Sequence, residues 1–131
     1  MAEELSKTEL YYQQLTADVK LTLINLHDRS LECAGIKAKW VKIYHDELRN
    51  LKKAKKAEKA VVESLLKANP SRARFQIEQE MSSNDKVKKL REYIEEQEML
   101  VAFLKDVVST VVSQFGYEIS SAVRLMGLEQ G

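Results

Sequence analysis

Glycine occurs four times, proline once and cysteine once in a chain of 131 residues. So few turn-forming residues cannot punctuate the many short strands of a sheet protein, and Ala, Leu, Glu, Lys and Gln predominate, so the expectation is helix. The lone Cys33 excludes an intramolecular disulfide and a thiolate metal cage, and a reduced, cytoplasmic compartment is expected. The longest strongly apolar run, 99–104, is far too short to span a bilayer. The opening MAEELSK lacks the basic and apolar regions of a secretory signal, so no membrane partner is expected. His27 and His45 each stand without a second ligand at metal-binding spacing. There is no Gly-rich phosphate loop, nucleophile elbow or paired-acid constellation. Glu95, Glu96 and Glu98 read as a solvated face. The expectation is a protein that is not an enzyme and has neither cofactor nor metal.

What is present is an uneven distribution of charge. The net charge of +1 conceals −3 over residues 1–36, +8 over 37–74 and −4 over 75–131. A basic middle between acidic flanks points to nucleic acid or another anionic surface as partner. The densest part is LRNLKKAKKAEKA at 48–60, where no apolar residue larger than alanine follows Leu51 until Val61.

SKTE at 6–9 is a capping box, with Leu5 and Leu10 at the staple positions. It starts a helix expected to run from Lys7 to about Cys33, its buried face carrying Leu15, Val19, Leu23 and Leu26. Gly35 marks a bend before a second helix over 36–68, which stops at Asn69-Pro70 because the residue before proline avoids helical torsions. On the helical wheel Trp40, Tyr44, Leu51, Val62 and Leu65 share one side. Arg49, Lys52, Lys56 and Lys59 take the other, with Lys42, Lys53 and Lys67 at its edges. Only Ala54, Ala57 and Ala60 can pack between Leu51 and Val61, so this section is expected to add little burial. The plainer alternative for the basic strip is a solubilising face; Trp40 and Tyr44 are read as core rather than as platforms for bases.

A short helix over 74–81 follows the turn, and SSND at 82–85 caps a third long helix. Val87, Leu90, Ile94, Gln97, Val101, Leu104, Val108, Val111 and Phe115 recur there at steps of three and four. Tyr93, Leu100 and Val107 broaden this seam beyond a two-stranded coil. The seam fits an intramolecular bundle or self-association. Gln97, awkward in a monomer core, would pair with itself across a symmetric assembly and tilts the reading to the latter. The helix is expected to stop at Phe115-Gly116 with a left-handed glycine and Tyr117 packed on Val112, before a short amphipathic helix closed by Gly127.

These parts, in this order, resemble the UvsY family of recombination mediators of T-even-type bacteriophages. The likeness covers about 23–131. It lies in KAKWVKIYHDELRNLKKAKKA, the proline-bearing turn, SSNDKVKKLREYIEEQEMLVAFLKDVVSTVV and the ending SQFGYEISSAVRLMGLEQG. Its most specific piece is the aromatic-glycine element, a short helix and the Leu128-Glu129-Gln130-Gly131 tail; Lys39-Trp40 and the Ser-x-Asp cap are weaker.

The resemblance implies an all-α fold, elongated and built of long helices, a C-terminal heptad helix and a short terminal helix, assembled into a homo-oligomeric ring. It implies residues 1–81 as a DNA-binding region containing the basic helix 36–68, and 82–131 as the oligomerisation region. It implies a mediator of DNA recombination, repair and replication in the host bacterial cytoplasm. Such a mediator binds single-stranded DNA and helps load a UvsX-like phage recombinase onto strands coated with the phage single-strand-binding protein. Where relatives carry a Lys-Ala-Arg element and tyrosines before the turn, this chain has 62–67 without tyrosine. The DNA contacts therefore fall on Arg49, Lys52, Lys53, Lys56, Lys59, Arg72 and Arg74. Oligomer contacts fall on Ile94, Val101, Leu104, Val108 and Val111. The rival expectation is a coiled-coil adaptor or structural oligomer without DNA binding. A peripheral membrane helix would need a bulky apolar face opposite the lysines, which 52–60 lacks.

Overall fold

The computed structural model describes residues 6–22, 24–68, 70, 73–82 and 84–130; at 74, 81, 82 and 127–130 it describes the backbone alone. The chain folds as five α-helices and one π-helical turn among the described residues, with no strand. They are α1 (Lys7–Asp18), α2 (Leu26–Ala68), α3 (Arg74–Ser82), α4 (Asp85–Asp106), the π turn (Val107–Val111) and α5 (Val112–Gln130). The all-α expectation holds.

Two compact units form, one from Met1–His45 with Ala102–Gly131 and the other from Asp46–Val101. The boundary expected between residues 81 and 82 falls inside the second unit, and each unit draws on both halves of the sequence.

In the first unit, Ser6 Oγ accepts the Glu9 N–H at 3.2 Å and Glu9 accepts the Ser6 N–H at 3.2 Å, completing the expected capping box. Leu5, the staple residue, lies outside the described residues, as does Leu23. α1 ends at Asp18 rather than near Cys33. The reason lies in Thr22 and Asn25, whose side chains each accept the other's backbone N–H, at 3.1 and 2.7 Å. Asn25 Nδ2 also donates to the Lys20 carbonyl. Such local bonds compete with helical ones, and they end one helix and begin another. Arg29 donates to the Ala17 carbonyl at 3.1 Å, satisfying an orphan acceptor at the end of α1.

Gly35 makes no bend. It sits inside α2 with a negative φ, and the helix runs unbroken from Leu26. Trp40 is 0% exposed; its Nε1–H donates to Asp18 at 3.0 Å, and Tyr11 meets its ring edge-on at 6.1 Å. Lys39 Nζ shares the same Asp18 oxygen at 2.7 Å. Trp40 is therefore core, as expected, and its polar edge is satisfied.

In the second unit α3 forms where expected. Ile77 packs with Val87 of α4 and with Val62, Leu65 and Leu66 of α2. Asn84 caps α4, its Oδ1 accepting the N–H groups of Lys86 at 2.9 Å and Val87 at 3.4 Å. A second cluster joins Leu51 and Ala54 to Ile94, with Leu90 and Val101 against it. The 48–60 section thus packs more than its sequence promised. Ala54 puts almost no side chain between α2 and α4, whereas Ala57 and Ala60 face solvent.

The heptad helix does not stop at Gly116, which has no left-handed φ, and Tyr117 is exposed rather than packed on Val112. The helical path instead continues through the π turn into α5. The buried positions explain why. α4 buries Val87, Ile94, Gln97 and Leu104 on the seam, but toward its end also Leu100 beside the seam. The π turn buries Val107 on that same side, while Val101 and Val108 of the seam are only half-buried. A straight 3.6-residue helix drifts from a 3.5-residue repeat in this way. Continued as α-helix, the drifting face would turn Gln114 and Glu118 inward. The extra residue of the π turn rotates the face back, so Val112, Phe115 and Ile119 are buried instead.

Candidate nucleic-acid interface

The basic face of α2 is set by what lies opposite it. Leu51 and Ala54 turn toward Ile94 of α4, and the helical period then sends Arg49, Lys52, Lys53, Lys56 and Lys59 to the outside. All five are exposed. Arg49 pairs with Asp46 one turn earlier. Lys52, Lys53, Lys56 and Lys59 hold no ion pair or hydrogen bond among the described residues. Four ammonium groups within two turns repel one another, which costs stability unless an anion neutralises them.

Two neighbouring pairs take the other charges on this stretch. Lys55 pairs with Glu98 at 3.2 Å, and Glu58 with Arg91 at 3.8 Å. Both link α2 to α4. They separate lysine paired across α2 and α4 from lysine left unpaired, a distinction that the sequence alone blurs. Arg72 lies outside the described residues. Arg74 opens α3, where its backbone alone is described, so neither is placed on the strip. Phe75 beside them in sequence is exposed, and the Tyr44 ring meets that of His45 at a tilt of 60°, centroids 5.2 Å apart.

The seam residues divide. Ile94 is buried against Leu51 and Ala54, and Leu104 is 0% exposed. Both are covered by their own chain. Val101, Val108 and Val111 are half-buried and keep open surface. Gln97, expected to seek its own copy, is instead satisfied within the chain. Its Nε2 donates to the Glu47 carbonyl and to Glu47 Oε2, both at 3.0 Å. Glu47 and Gln97 are each 3% exposed, and Asn50 Nδ2 donates to Glu47 Oε1 at 3.1 Å. The sequence reading missed Glu47. Its only signal was an acid on the apolar side of the wheel, between Tyr44 and Leu51.

One stretch among the described residues, Asp85–Met126, is long and apolar enough by composition to cross a membrane, with a third of its most apolar window buried. Its longest uncharged run, 107–117, is about half of the ~20 residues that a span requires. No group of three or more metal-ligating side chains converges among the described residues.

No protein-family model matches the chain, and no curated protein matches its sequence. Among solved structures it is similar to the recombination mediator protein UvsY of bacteriophage T4. The two share 15% identity and a TM-score of 0.78, over 95% of this chain and 99% of that one. An unpaired basic helix face and a long C-terminal seam are thus carried on the fold of UvsY.

Proposed function

We propose that this protein is a recombination mediator. It binds single-stranded DNA along the outer face of α2 and self-associates through the open valines of the seam. In that form it helps a phage recombinase replace the single-strand-binding protein, serving recombination, repair and replication in the host cytoplasm. It acts by binding, not by catalysis. The observation that carries the reading is the set of four exposed, unpaired lysines, Lys52, Lys53, Lys56 and Lys59, on a chain with the fold of a named mediator. A short strip binds weakly alone; several copies in one assembly raise the effective concentration of every strip after the first. Contacts of this kind go to phosphates and carry no base preference.

The test is a titration with single-stranded DNA at two salt concentrations. Four phosphate contacts contribute about 0.7 each to the log–log slope, roughly 3 in all, or about 50-fold in affinity between ~50 and ~200 mM salt. Changing the four lysines to alanine flattens that slope with helicity unchanged, because alanine is the better helix former. A variant that keeps the parent's slope reduces the lysines to a solvated face and sinks the reading.

A further inference from the structure

Within the second unit, one flank of the α2–α4 pair opens into a groove of about 400 Å³. It is lined by Ala60, Val61, Ser64 and Leu65 from α2, by Asn84, and by Lys86, Val87 and Leu90 from α4. Val87 is buried, Leu65 and Leu90 are half-buried, and Val61 is 39% exposed. The lining is overwhelmingly aliphatic, contains no acidic side chain and has no aromatic ring on which a base could stack.

Its charge is of one sign. Lys86 lines it and is exposed. Lys56, four residues before Ala60, and Lys67, three after Ser64, lie on the same face of α2 by helical spacing. Both are exposed. None of the three lysines holds an ion pair among the described residues. The opposite flank differs. There Lys55, Glu58, Lys59, Glu63 and Glu98 surround a second depression of mixed charge.

We infer that the first groove docks a short acidic segment of a partner protein, one that offers two bulky aliphatic side chains a helical turn apart. The lined stretch of α2, 60–65, rises only about 8 Å, which admits two anchors at i and i+4 and no more. The aliphatic walls take the anchors, and the lysine rim takes the carboxylates between them. Lys56 is common to the rim and the DNA strip, but the aliphatic lining, Lys67 and Lys86 lie outside that strip, and docking here does not require the strip to bind DNA.

The probe is a labelled acidic peptide of about a dozen residues with two leucines one turn apart, followed by fluorescence anisotropy on the intact protein. Two controls are the same peptide with both leucines changed to alanine and the same peptide with its glutamates changed to lysine. Parent protein binds the first peptide at least about tenfold more tightly than either control, since each leucine is worth about tenfold when buried. Val61→Asp and Lys86→Glu each weaken that binding about tenfold while leaving helicity, light-scattering mass and single-stranded DNA affinity as in the parent. Equal affinity for the leucine and alanine peptides overturns the inference, because it means the lysines collect any polyanion. A change of mass in Val61→Asp also overturns it, assigning the groove to a second copy of this chain. Loss of DNA affinity in the same variant overturns it as well, assigning the groove to nucleic acid. Parent protein that binds the peptide but no DNA would sink the proposed function and leave this inference standing.

Discussion

Glu47 and Gln97 show how a polar pair can stand in a core that apolar periodicity alone would fill with leucine. Each buried acceptor and donor named above has a partner, and what matters is the cost of leaving one without. Glu47→Leu takes the carboxylate from the Gln97 amide in a dry site, leaving it only the backbone carbonyl of residue 47, and should destabilise by about 1–3 kcal/mol. Replacing both residues with leucine should cost far less than the sum of the two single changes, because no orphan remains. Urea unfolding of the four proteins measures the coupling, and additive costs would mean that the pair is incidental. Gly35 offers the opposite case. A Cβ added there would meet nothing within 4 Å, and the backbone is already helical. Gly35→Ala should therefore stabilise by about 0.5–1 kcal/mol, visible as a raised thermal midpoint.

At the scale of an element, the π turn is a phase correction. It holds one residue more than an α-helical turn needs, and the exposed Thr110 carries no packing. Deleting Thr110 should convert α4, the turn and α5 into continuous α-helix while leaving Val112, Phe115 and Ile119 on the buried side. The thermal midpoint should hold or rise. If the turn were instead an accident of local sequence, the deletion would rotate α5 by about 100° and expose Phe115, with a fall in stability. Ser109 and Ser113 donate to the carbonyls of Lys105 and Val108, bonds that ease departures from the i→i−4 ladder.

For the molecule as a whole, the proposed activity turns on how copies meet. Leu104 cannot test it, since a charge at a fully covered site unfolds the protein before it reports on assembly. Val108 and Val111 are only half-buried, so Val108→Asp with Val111→Asp should lower the light-scattering mass while helicity is retained. With the basic strips of several copies no longer presented together, single-strand affinity should fall although every lysine is intact. An assembly of unchanged mass would move the interface elsewhere.

Much of this was determined by the sequence alone. Capping boxes, helix-breaking Asn69-Pro70 and three-four spacing act within a few residues, so α1's start, α3, α4's cap and the outward lysines of α2 are legible without coordinates. Three features were decided only by the tertiary structure. Beside the local Thr22–Asn25 bonds, the end of α1 is held from α2, where Arg29 reaches the Ala17 carbonyl and Trp40 reaches Asp18, while Gly35, which a local reading blames, is carried along inside α2. Gln97 looks like an interface residue until Glu47, fifty positions away, reaches it. Phe115-Gly116-Tyr117 reads as a stop, yet the helix continues because a π turn returns Phe115 to the covered side. In each case local pattern states what a residue prefers. Burial against residues distant in sequence, which dries the site and raises the cost of every unmade bond, decides which preference is met.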